Sequence, residues 1–143
     1  MVTKSFTAQV DDWVKKSQAR IDEVTKESAK RVVSLAANAV PVDTGFAGAS
    51  IMASTSAMPT IKSGKGSPDR AYDIAGPLSS VLLVIAGALP DQTIYVGWTA
   101  PYIVRLEYGH SKQAPSGFLR KAAAQWPKIV EQVTSEAKAR AGS

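Results

Sequence analysis

A chain of 143 residues, 45% hydrophobic and 20% charged, has the size and balance of one globular domain, with material for a single core and not for two. The absence of cysteine excludes a disulfide framework, a thiolate metal site and a cysteine nucleophile, and it fits a reducing compartment. The formal charge of +5 is uneven: Lys and Arg outnumber Asp and Glu by seven to five in residues 1–40 and by seven to three in residues 101–143, while residues 41–100 carry three against four. Such a surplus permits weak contact with nucleic acid or an acidic protein face, and a solvated helix surface accounts for it equally well.

We expect one α+β domain over 1–143: a long N-terminal helix in 1–40, then strand, loop, central buried helix and strand in 41–100, and a short helix, an interface loop and a C-terminal helix in 101–143. The two strands should form a small antiparallel sheet. From Thr7 to Val40, Val10, Val14, Ser17, Ile21, Val24, Ser28, Val32, Leu35 and Ala39 recur at steps of three and four, the stripe a helix buries. Four acid-first pairs four residues apart support it: Asp11 with Lys15, Asp12 with Lys16, Asp22 with Lys26, and Glu27 with Arg31. Ser5 or Thr7 can cap the start, and Pro41 forces Val40 out of the helical region. Such a helix runs roughly 50 Å. A compact domain of this length spans only about 35–40 Å, so part of the helix should overhang its own core.

Pro41-Val42-Asp43-Thr44-Gly45 reads as a structural turn, with Pro41 fixing φ, Asp43 or Thr44 bonding backbone amides and Gly45 taking positive φ. Ala49 to Ala57 reads as a strand. Met58 to Asp69 is rich in Gly, Ser, Pro and Lys and reads as a flexible loop. Arg70 to Ala88, at least from Pro77, should be a helix burying Leu78, Val81, Leu82, Val84, Ile85 and Leu89; its apolar run is broken by Gly76-Pro77 and is shorter than the ~20 residues of a bilayer span. Thr93 to Trp98 alternates as a second strand. Pro101 opens a short helix through Tyr108, which Gly109 stops. Ser116 or Gly117 starts the last helix, with Phe118, Leu119, Ala122, Trp126, Ile129, Val130 and Val133 as its apolar set. Pro127 either kinks this helix or starts a new segment, and Ser135 to Ser143 should fray. Trp13, Trp98 and Trp126 are expected in the core or in grooves.

Little here is shaped for catalysis. The sole histidine, His110, follows a helix-stopping glycine in a polar loop, with no glycine-flanked serine nucleophile to serve. One histidine and scattered acids give no metal-ligand cluster. The carboxylates Asp43, Asp69, Asp73, Asp91 and Glu107 belong to separate loops or helices, with nothing to pair them as acid and base. Gly64-Lys65-Gly66-Ser67 lacks the leading glycine and strand–helix setting of a phosphate loop. No catalytic residue, metal ligand or cofactor is therefore expected. A start dense in charges is also unlike a secretory leader.

The densest stretch runs from Pro101 to Trp126. Tyr102, Arg105, Glu107 and Tyr108 either form a local amphipathic turn, with Ile103 and Leu106 buried and Arg105 exposed, or make the rim and anchors of a subunit interface, where Tyr and Arg are enriched. In the second reading His110, Lys112, Gln113 and Pro115 form its companion loop.

PVDTG (Pro41 to Gly45), APY and LEYG (within Ala100 to Gly109) and SKQAPSGFLR (Ser111 to Arg120) arrive in that order behind a long first helix. The ordered set resembles the small neck, or tail-completion, proteins of long-tailed bacteriophages of the lambdoid and HK type, over about residues 5 to 130. After Gly45 the chain departs from that pattern: Phe46-Ala47-Gly48 stands in place of a usual leucine and arginine, so any contact made by that arginine is not carried over. The resemblance implies a non-enzymatic structural virion protein, a homo-oligomer forming a hexameric ring. That ring would join a head-side connector or closure protein to tail terminator or tail-tube proteins. It places the chain in the virion neck, and in the host cytoplasm during assembly, without a membrane and with passing contact to DNA in the lumen. The alternative from another class is a basic DNA-binding module that contacts nucleic acid without sequence specificity, although no helix-turn-helix, ribbon or stacking platform stands out.

Overall fold

The computed structural model describes residues 5–40, 46–62, 72–108 and 117–142; for Arg105, Leu106, Ala141 and Gly142 the description is of the backbone alone. The chain is mostly helical, with one small sheet. Its elements are α1 (Phe6–Ala39), α2 (Phe46–Ala49), β1 (Ile51–Ser54), α3 (Ala75–Gly87), β2 (Tyr95–Trp98), α4 (Ile103–Glu107), α5 (Phe118–Ala123) and α6 (Trp126–Gly142). The turn residues Pro41, Asp43, Thr44 and Gly45 lie outside the described residues, as do positions 63–69 of the expected loop; Met58 to Lys62 have no regular structure.

α1 starts where expected, with Ser5 extended and its Oγ accepting from the Ala8 amide at 3.2 Å. It ends as the proline after it requires, with Val40 at ψ 129°. Asp22–Lys26 and Glu27–Arg31 pair along it at 3.1 and 3.2 Å. The Lys26 ammonium also donates to the Ala86 carbonyl, 3.1 Å away at the C-terminal end of α3, where helix carbonyls lack partners of their own.

The stripe α1 buries is not the one its periodicity suggests. Ser28, Val33, Ala36, Ala37 and Val40 are buried, whereas Val10, Val14, Ile21, Leu35 and Ala39 are exposed. The core-facing side is rotated toward the alanines, because Ala36 and Ala37 let α5 and α3 approach closely, while Leu35 faces away. Of the expected stripe only Ser28 is fully buried, and its hydroxyl has no hydrogen-bond partner among the described residues.

β1 and β2 pair antiparallel with Ile51 opposite Trp98 and Ser54 opposite Tyr95. β1 is shorter than the expected Ala49–Ala57. Phe46–Ala49 is helical, and past Ser54 the chain bends away because the Ser54 Oγ accepts from the amides of Ser56 and Ala57. Beyond the last paired residues, the Thr99 amide and hydroxyl both donate to the Ser50 carbonyl.

α3 packs on β1, and α1 packs against α3, α5 and α6. The core joins Val33, Ala36 and Ala37 of α1 to Ile51, Val81, Ile85, Trp98 and Phe118. α3 begins at Ala75 rather than Arg70, with Pro77 in its first turn. It is half-buried rather than central: Val81 and Ile85 are buried, but Leu83 and Leu89 are exposed, since a helix on the outer side of a two-stranded sheet can bury only one stripe. Of the tryptophans, Trp98 is in the core, stacked edge-to-face on Phe118 at 5.1 Å, its indole N–H buried without a partner among the described residues. Trp126 lines a groove with Trp98, Leu119 and Val32, as expected, whereas Trp13 is exposed, against expectation.

The expected last helix is two helices. Ala124 and Gln125 form a turn, and Pro127, which has no amide hydrogen to place, sits in the first turn of α6. Ile129 and Val133 are buried, while Leu119 is exposed and Val130 half-buried. From Ser135 the chain is helical to Gly142, with Arg31 bonded to both carboxylate oxygens of Glu136 (3.2 and 2.6 Å) and Arg140 to Glu23 at 2.7 Å.

Candidate functional site

Two surfaces stand out, an uncovered helix arm and a braced corner. The arm is the N-terminal half of α1. No residue from Phe6 to Glu27 is buried, and Phe6, Trp13 and Ile21 are 81%, 69% and 67% exposed. With Val10 and Val14 these side chains share one side of the helix at steps of three, four and seven. The two aromatics alone leave on the order of 300 Å² of ring surface to water, and the whole patch is of the size that marks interaction sites on soluble proteins.

The corner is built around Glu107, the last residue of α4, which is 8% exposed. Its carboxylate accepts from the amides of Leu119 and Arg120 at 2.7 and 2.8 Å, capping α5, and from the Arg120 guanidinium at 3.0 Å. Arg120 also donates to the Glu107 carbonyl at 2.8 Å and lies over the Tyr108 ring, 4.8 Å from its centre. Gly117 makes the approach possible. At φ +84° it occupies the left-handed region, and a Cβ there would stand 2.6 Å from the Glu107 carbonyl oxygen. Glu107 is therefore spent inside its own chain, whereas Tyr102 and Tyr108 remain exposed, Tyr102 tilted against Phe46 with the ring centres 6.3 Å apart.

Arg105 lies on α4, with its side chain outside the described residues, and His110, Lys112, Gln113 and Pro115 fall outside them entirely. The structure thus brings Tyr102, Glu107 and Tyr108 to one corner and leaves the rest of the expected interface unplaced. The sequence places a helix start at Ser116 or Gly117, and Gly117 is that start; sequence reasoning missed the close approach of Gly117 to Glu107, ten residues earlier, and the role of Arg120. It also missed Phe46, which stacks edge-on to Tyr72 at 5.2 Å, a pairing too distant in sequence for any local pattern.

Asp73 caps α3 through the Ala75 amide at 3.1 Å, so like Glu107 it is spent at a helix end. Asp43 and Asp69 lie outside the described residues. Among the described residues no three His, Cys, Asp or Glu side chains gather as a metal site, and no helix is long and apolar enough to cross a membrane.

No family model, curated protein or solved structure matches the chain.

α6 runs back along α1, and between them lies a groove of about 470 Å³ lined by Arg20, Ile21, Val24, Val130, Ala137 and Lys138, among others. Two ion pairs link the same helices, Arg140–Glu23 and Arg31–Glu136, both exposed and worth little individually. The hydrogen bond from Arg31, helped by its charge, holds the Glu136 carboxyl below its ordinary value, and the same bond raises the Arg31 guanidinium. Because the folded-state value of Glu136 is the lower one, its contribution is complete above the unfolded value near 4.5 and is lost as pH falls through the folded one. Protection factors for amides 134–140, corrected for intrinsic exchange, should drop between pH ~5 and ~3 while those near Ile129 and Val133 hold.

Proposed function

We propose that this chain is a non-enzymatic structural subunit of a tailed-phage virion. It forms an oligomeric ring at the head–tail junction that joins the connector to the tail tube. The observation that carries the reading is the uncovered arm: a helix presenting Phe6, Val10, Trp13, Val14 and Ile21 to water suits a protomer completed by neighbours. The ordered motifs from PVDTG to SKQAPSGFLR supply the setting, by resemblance to neck and tail-completion proteins. A closed ring needs two different patches that match head to tail. The arm serves as one, and the exposed tyrosines Tyr102 and Tyr108 mark a second contact region, with the Glu107–Arg120 brace fixing its shape.

Removing the chain from a phage-producing host tests the reading. Filled heads and finished tails should accumulate unjoined, and infectious particles should fall by orders of magnitude. Normal yield of joined particles would end it.

A further inference from the structure

We propose that the groove between α1 and α6 receives the α1 arm of a second copy. The inference rests on the ring reading and deepens it by naming a surface that accepts the arm, with the Tyr102–Tyr108 corner kept as a further contact region of the subunit. The groove has an apolar floor of Ile21, Val24, Val130 and Ala137, with Arg20 and Lys138 as basic residues in its lining. Neither cation is paired among the described residues, in contrast to Arg31 and Arg140 nearby. A floor of this kind takes an amphipathic helix with anchors three, four and seven residues apart, and the two cations favour an acidic flank on that helix.

The chain carries such a helix. On the arm, Phe6, Val10, Trp13 and Val14 form the apolar side, and Asp11 lies on the flank beside Val14 with its carboxylate exposed. Lys15, one turn beyond Asp11, lies farther round the helix from the apolar side, and Lys16 lies on its other flank. The arm cannot reach its own groove, because both belong to the one unbroken helix Phe6–Ala39 and the arm points away along its axis. Arm and groove meet at Ile21 along one side of α1; arranged head to tail, the contact repeats from copy to copy, as the ring reading requires.

Site-directed crosslinking tests the contact directly, since the chain has no cysteine of its own. Purified Val14→Cys and Ala137→Cys proteins, mixed and oxidised, should give a mixed dimer at least tenfold faster than Val14→Cys with Ser79→Cys on α3. Adding Lys138→Glu to the Ala137→Cys partner should slow that crosslink severalfold, and adding Asp11→Lys to the Val14→Cys partner should restore it. Trp13→Ala, at a largely exposed position that leaves the circular dichroism unchanged, should abolish the preference. A mixed dimer forming no faster than the control, or a crosslink indifferent to the charge swap, overturns the proposal. Because the assay uses purified chain alone, such a failure leaves the neck reading to be decided by particle yield.

Discussion

Replacing Glu107 by alanine is expected to destabilise the fold by about 3 kcal/mol. The carboxylate is the shared acceptor for two amides of the first turn of α5 and for Arg120, and hydrogen bonds to a charged group are worth about 1.5–3 kcal/mol each, with overlap between them. Glu107→Gln should recover part of the loss by keeping an acceptor oxygen. Arg120→Ala should cost less than half as much, because that side chain is more than half exposed and the amide cap survives it. Gly117→Ala should match Glu107→Ala in severity, since it sets a Cβ against the Glu107 carbonyl and holds alanine at positive φ. Urea denaturation followed by far-ultraviolet circular dichroism reads all four; a Glu107→Ala midpoint within error of wild type would show that the brace is dispensable.

Phe118→Ala should cost more, about 3–5 kcal/mol. The ring is 2% exposed, meets Trp98 edge-to-face and ties α5 to the sheet and to α1. Little nearby can collapse into the space, because its neighbours Ala36, Ala37 and Ala122 are short. The informative comparison is Trp13→Ala, which removes a larger aromatic from an exposed position and should change monomer stability by less than about 0.5 kcal/mol. Thermal or urea unfolding of the two variants side by side should separate them by several kcal/mol. Similar losses would mean that the arm is covered by its own fold.

Periodicity located α1 to within a residue, with Pro41 fixing its end and Ser5 proving to be the cap of the two candidates, and alternation found β2. It misjudged which face of α1 is buried. The large residues Val10, Val14, Ile21 and Leu35 dominate any sequence pattern, but burial went to Val33, Ala36 and Ala37, where small side chains permit close approach. A side chain's size reveals what could be buried, and only the positions of other elements decide what is. Of the two roles open to it, Pro127 takes the start of a new segment, after the turn at Ala124 and Gln125. The partners of Glu136 and Arg140 on α6, Arg31 and Glu23, lie more than a hundred residues away in the chain. At the candidate site, Tyr102 and Tyr108 were visible as aromatics in a dense stretch. The inward role of Glu107 was not, since its partners come from the far side of the loop that follows.

The arm has a thermodynamic corollary. No residue of its first four turns is buried among the described residues, so their helicity rests largely on intrinsic propensity and on local pairs, and for a stretch of that length the helix–coil balance in water is close to even. Docking must then supply the ordering free energy, which makes each individual contact weak and readily reversible. A subunit so built is discouraged from sticking to single sisters in the crowded cell and is committed only when many contacts close together.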